Sequence, residues 1–235
     1  MIAQPSCREE TRLTALNWVI EKDRLMLACD TLVTAIGSGV PLAFLPKVIS
    51  SSDEQSIIAG TGDAKTLFDI QGPLHNNSLG NSVFDIANCL PEFLRNIDKL
   101  RKESRRKEAF VYLFGWSEEE GLIRGYGFSS QSDFSKTDLP NPGMCVSPPN
   151  VTPPHIRSYV TPPPIGAYDQ YFVDLIRRQR EADDEAQPEI RAGIGGEILR
   201  VDLIKNRLNV RKIYRFDDYA EMSAALAEAK KNSNR

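Results

Sequence analysis

The sequence predicts an α+β fold in which two antiparallel sheets are sandwiched between helix layers, a four-layer αββα order. Three observations carry this expectation. β-like runs come as neighbours separated by short turn sequences, which is how hairpins read. Helical periodicity sits in separate blocks and does not alternate strand by strand, so a doubly wound parallel sheet does not fit. No internal repeat or linker divides the 235 residues, so 1–235 reads as one domain, long but within reach of a single layered unit.

Residues 13–21 (LTALNWVIE) and 24–34 (RLMLACDTLVT) form the first strand pair, with Lys22 and Asp23 at the turn. Residues 47–51 and 55–60 form the second, turning at Asp53 and Glu54. Gly62-Asp63 then opens a helix over AKTLFDI, and Asp63 suits its first turn. Over 81–105, Val83, Ile86, Ala87, Leu90, Phe93, Leu94, Ile97 and Leu100 recur at three- and four-residue steps on one helical face. Pro91 is expected to kink that helix. Its basic end, KLRKESRRKE, reads as a solvated helix terminus, where positive charge is favourable.

Residues 108–116 and 121–129 form a third strand pair around the turn SEEE. Residues 130–165 read as loop, because nine of the fifteen prolines fall between 140 and 164 and proline removes ladder donors. This stretch is expected to be a rigid surface excursion and not a PxxP-type ligand. Tyr168, Tyr171, Phe172, Leu175 and Ile176 mark a helix to about residue 185. Strands at 197–204 and 208–216 turn at Asn206, and DDYAEMSAALAEAKK is a final helix capped by Asp217 or Asp218.

Apolar residues are 41% and charged residues 26%, enough to build a core without a disordered composition. A net charge of −3 gives no reason to expect nucleic acid or an anionic membrane as partner. No stretch approaches about 18 uninterrupted apolar residues, so no spanning helix is expected. The opening MIAQPSCREETR lacks an apolar h-region, which predicts no secretory signal and a cytoplasmic protein. Cys7, Cys29, Cys89 and Cys145 form no CxxC pair, and His75 and His155 are the only histidines. Reduced thiols and no metal site or cofactor are therefore expected.

Two blocks carry a resemblance. TALNWVIEKDRLMLACDTLVTA and PKVISSSDEQSIIAGTGDAKTL are similar to the opening of the proteasome β-subunit family and its bacterial peptidase relatives, which are N-terminal-nucleophile hydrolases. Thr14 and Asp30 have the family's sixteen-residue separation. Lys47 and Gly60 match the family's lysine-led strand and alanine-glycine step, with a one-residue gap on either side of Lys47. Gly195-Gly196 resembles the glycine pair before a late strand. The resemblance covers residues 13–70 and, beyond them, only the order of elements.

The resemblance implies the following chemistry. Residues 1–13 would be a propeptide whose removal frees the Thr14 amine. The Thr14 hydroxyl would attack a peptide or amide carbonyl with that amine as base. Lys47 would favour the ionised hydroxyl, Asp30 would hold Lys47, and the Gly60 N–H would face the oxyanion. Val33 and Ile58 match specificity-pocket positions. A homo-oligomeric ring is implied, and an ATPase partner is a further expectation. The alternative is an uncleaved, non-catalytic ring subunit.

The sequence departs from the family at four places. Leu13 stands where a glycine usually precedes the nucleophile. Arg191 and Ile194 replace an aspartate and a serine before the glycine pair. MCVSPP at 144–149 offers only Ser147 for a small-residue segment. Cys7 is a second candidate nucleophile, without the hairpin spacing to Asp30.

Overall fold

The computed structural model describes residues 15–34, 41–100, 109–147, 163, 166–187 and 191–233. It shows a mixed α+β architecture with three antiparallel sheets and, among the described residues, four helices. The first sheet contains β1 (Leu16–Glu21), β2 (Arg24–Asp30), β10 (Gly143–Ser147), β11 (Glu197–Ile204) and β12 (Arg207–Arg215). Its order is β10-β1-β2-β11-β12. The second contains β5 (Val48–Ser50), β6 (Ser56–Gly62), β7 (Ala109–Ser117), β8 (Leu122–Ser129) and β9 (Thr137–Asp138), in chain order. A small third sheet pairs β3 (Leu32–Thr34) with β4 (Pro41–Phe44).

Side-chain alternation along the strands assigns each face. In β2, Leu25, Leu27 and Cys29 join one apolar cluster, while Met26 and Ala28 join another. The first of these also takes Leu16, Trp18 and Ile20 from β1, Ile57 and Ala59 from β6, Phe114 from β7 and Val201 from β11. It therefore lies between the two five-stranded sheets. The outer face of the first sheet packs Val19, Met26, Ala28 and Ile198 against Tyr168, Phe172 and Ile176 of α3 (Tyr168–Glu185). The outer face of the second packs Ile58, Val111 and Leu113 against α1 (Ala64–His75) and α2 (Val83–Leu100). Both faces are buried, which is why the strands read as apolar runs rather than strict alternation.

Two helix starts, those of α1 and α2, follow from capping chemistry. The Asp63 carboxylate accepts the Lys65 N–H at 3.2 Å. At α2 the Ser82 hydroxyl accepts the Asp85 N–H at 3.1 Å and donates to the Asp85 carboxylate at 2.7 Å. The helix continues through Pro91, held by the burial of Val83, Ile86, Ala87, Leu90 and Leu94. Residues 101–108, where the basic run was expected to close this helix, lie outside the described residues. At α4 (Tyr219–Ser233) the carboxylate of Asp218 forms a two-pronged pair with the Arg180 guanidinium at 3.0 and 2.5 Å. Asp218 stands at the start of the helix, its carbonyl accepting the Met222 N–H at 3.0 Å.

Two expectations are corrected. The strand expected over 24–34 breaks after Asp30, because the Thr31 and Leu32 N–H groups both turn to the Gly195 carbonyl, at 3.3 and 3.1 Å. Residues 130–165 are not wholly loop either. β9 and β10 extend the two large sheets, and β10 lies between Pro142 and Pro148 on an edge next to β1. Its own five residues carry no proline, so the ladder is unobstructed.

Candidate active site

β2 is bracketed by β1 and β11, so its last residue, Asp30, emerges between the start of β1 and the start of β11. Its side chain is wholly buried. A carboxylate there needs partners, since an isolated buried charge costs several kcal/mol. Among the described residues, one oxygen accepts the Lys47 ammonium at 2.7 Å and the Ala15 N–H at 3.1 Å. The other accepts the Leu32 N–H at 3.2 Å and the Gly195 N–H at 3.1 Å.

Lys47 arrives from the other large sheet, immediately before β5. Its side chain is 9% exposed. Its carbonyl accepts the Gly60 N–H at 3.2 Å, which ties Lys47 to the β6 ladder. The Asp30–Lys47 pair thus bridges the ends of the two sheets. Gly60 packs against α1: a Cβ there would lie 3.0 Å from the Leu67 side chain, a tight contact.

The glycine pair supports the same corner. Gly195 offers its N–H to Asp30 and its carbonyl to Thr31 and Leu32. Gly196 has φ +81°, and a Cβ on it would come 2.5 Å from the Thr31 hydroxyl. That hydroxyl in turn accepts the Glu197 N–H at 2.9 Å. Chemically, the corner holds a fixed ammonium, buried on its carboxylate side, beside the backbone of Ala15. An ammonium so held favours the anionic form of a neighbouring hydroxyl.

Of the residues singled out in the sequence, the structure brings Asp30, Lys47 and the Gly195-Gly196 pair together. Thr14, Leu13 and Cys7 lie outside the described residues. Ala15, which follows Thr14, is hydrogen-bonded to Asp30. Gly60 joins the site through Lys47, but its N–H is spent on the Lys47 carbonyl in this arrangement. The two expected pocket residues part company. Val33 is half-buried on β3, whereas Ile58 is completely buried in the cluster under α1 and α2 and presents no surface to a substrate. Ser147 ends β10 opposite Leu16, its N–H on the Asn17 side-chain oxygen at 3.2 Å.

Cys29 is wholly buried beside Lys47 and Asp30, and burial pushes its thiol up to about 12. It is therefore a packed thiol and not a thiolate nucleophile.

Two features escaped the sequence reading. Asn17 and Gln179, both buried, exchange amide hydrogen bonds at 2.9 and 3.2 Å, and Gln179 also donates to the Ser147 carbonyl at 3.0 Å. Asp183 takes backbone N–H groups from the loop that leads to Gly195. One signal was available for Asp183: α3 closes on acidic residues with no base in its last turn, against its own macrodipole.

Among the described residues, no group of three or more His, Cys, Asp or Glu is arranged to hold a metal ion. Nor is any helix there long and apolar enough to cross a membrane. No protein-family model matches the chain, and no curated protein matches it.

Proposed function

We propose that this chain is an amide-bond hydrolase of the N-terminal-nucleophile type, with proteasome-like αββα layering and Thr14 as its nucleophile after processing. One observation carries the reading: a wholly buried carboxylate, Asp30, binds the Lys47 ammonium and the Ala15 N–H on the same oxygen. The Lys47 ammonium and the N–H of Ala15, the residue that follows Thr14 in the sequence, therefore share one acceptor. In this reading the freed Thr14 amine is the base and Lys47 stabilises the ionised hydroxyl. Peptides or proteins are the substrates. The active form is a homo-oligomeric ring, with an ATPase as a further partner.

A second reading, an uncleaved ring subunit that contributes surfaces only, has its own support. The Gly60 N–H is committed to the Lys47 carbonyl, so an oxyanion there has to displace that bond. Leu13, Arg191 and Ile194 also depart from the family's supporting residues.

Intact mass and N-terminal sequencing of the purified protein separate the two. The first reading expects a mature chain that starts at Thr14 and hydrolyses fluorogenic peptides. It also expects Thr14→Ala to leave the chain unprocessed and to abolish turnover. A full-length chain without turnover supports the second reading. Hydrolysis undiminished in Thr14→Ala overturns the assignment of the nucleophile.

A further inference from the structure

Three consecutive backbone N–H groups converge on one carboxylate at the end of α3. Asp183 accepts the Ala192 N–H on one oxygen and the Gly193 and Ile194 N–H groups, at 2.8 and 3.3 Å, on the other. The side chain is 2% exposed. It sits in the last turn of its helix, where the macrodipole disfavours an acid. Burial pushes the carboxyl above its ordinary range, opposed by the three N–H bonds and reinforced by neighbouring Asp184. A carboxylate in so unfavourable a place is sustained by the loop wrapped around it, a nest of the kind that binds anions.

The same loop runs on into the candidate site. Gly195, the next residue, donates its N–H to Asp30 and accepts from Thr31 and Leu32. Gly193 packs closely in the loop. Gly193 has φ +75°, and a Cβ on it would meet Thr34 at 2.6 Å. The Arg191 guanidinium anchors the near end by donating to the Asp184 and Ala186 carbonyls at 2.6 and 3.0 Å. Two buried carboxylates therefore grip adjoining parts of one short loop.

We infer that Asp183 is a positioning residue for the Asp30–Lys47 site. By holding residues 192–194 it sets the Gly195 N–H on Asp30, and so fixes the orientation of the carboxylate that binds Lys47 and Ala15. The catalytic consequence rests on the hydrolase reading above; the geometric one does not.

The test is amide hydrogen exchange on the full-length protein, comparing wild type with Asp183→Asn and with Leu90→Ala. Asparagine keeps the size but offers one acceptor oxygen and turns an NH2 toward N–H donors. Leu90→Ala removes stability from the distant cluster under α1 and α2. Asp183→Asn is expected to speed exchange at Ala192–Gly195 and at Ala15 by about tenfold or more, about 1.4 kcal/mol of local protection. Leu90→Ala is expected to spare those amides relative to the rest of the chain. Unchanged protection of Gly195 and Ala15 in Asp183→Asn, or equal loss in both variants, overturns the inference. Should the asparagine variant not fold, Asp183→Glu, which keeps the charge but displaces both oxygens by one methylene, is read the same way. Exchange needs no turnover, so its result stands apart from the Thr14→Ala result. Where turnover is present, Asp183→Asn is expected to lower kcat with KM unchanged.

Discussion

Asp30 is the residue on which most depends. Its carboxylate collects an ammonium and three N–H groups from four separate parts of the chain: the start of β1, the residue before β5, the break after β2 and the loop before β11. Removing either member of the buried pair costs about 3–5 kcal/mol, because the other charge is left without its partner. The two losses are not equal. Lys47→Ala leaves Asp30 with its three N–H donors, whereas Asp30→Ala orphans those donors as well as the ammonium. Urea unfolding of the two variants is expected to rank Asp30→Ala as the more destabilised. Equal costs, or the reverse order, would mean that the N–H bonds contribute little.

At the level of elements, α3 does more than cover the first sheet. Gln179 reaches from its inner face to Asn17 on β1 and to the Ser147 carbonyl on β10, tying one helix to two strands. Further along the same helix, Asp183 holds the loop before β11. These polar contacts settle how α3 registers on the sheet, which the apolar packing of Phe172 and Ile176 leaves less specific. Gln179→Ala takes away the acceptor of the Asn17 side-chain NH2 and the donor to the Ser147 carbonyl in a buried place, while the Asn17 oxygen keeps the Ser147 N–H. The expected cost is about 2–4 kcal/mol, read as a lower urea midpoint with an unchanged slope. A midpoint equal to wild type would show that water replaces the amide without penalty.

For the whole molecule, one of three apolar clusters lies where the two five-stranded sheets face each other. Leu27 sits there at 0% exposure, among Leu16, Trp18, Ile57 and Phe114. Leu27→Ala is expected to cost about 2–5 kcal/mol, through lost burial plus the cavity left between two stiff sheets. Calorimetry showing no fall in melting temperature would contradict that picture of the core. The site lies at one end of this interface, where Lys47 of one sheet reaches Asp30 of the other. Any motion of the sheets relative to each other is therefore opposed by the ion pair as well as by the core.

The sequence by itself determined the classes of its elements and most of their order, because apolar spacing and turn residues act locally. The stripe from Val83 to Leu94, the β1–β2 and β11–β12 hairpins and the start of α1 at Asp63 were legible on those terms, whereas Leu100, expected on the same face, is 80% exposed. Asp30 and Lys47 were singled out only through the resemblance of the two opening blocks, and the fold brings the pair together. Other features were decided only by the fold. The break at Thr31 exists because Gly195, distant in sequence, supplies a competing acceptor. β10 is a strand because β1 offers it a free edge. Asp183 reads as one more acid on a solvated helix until the loop folds back over it. Hydrogen bonds between remote segments carry no periodicity along the chain, so they become visible only once tertiary structure brings donor and acceptor together.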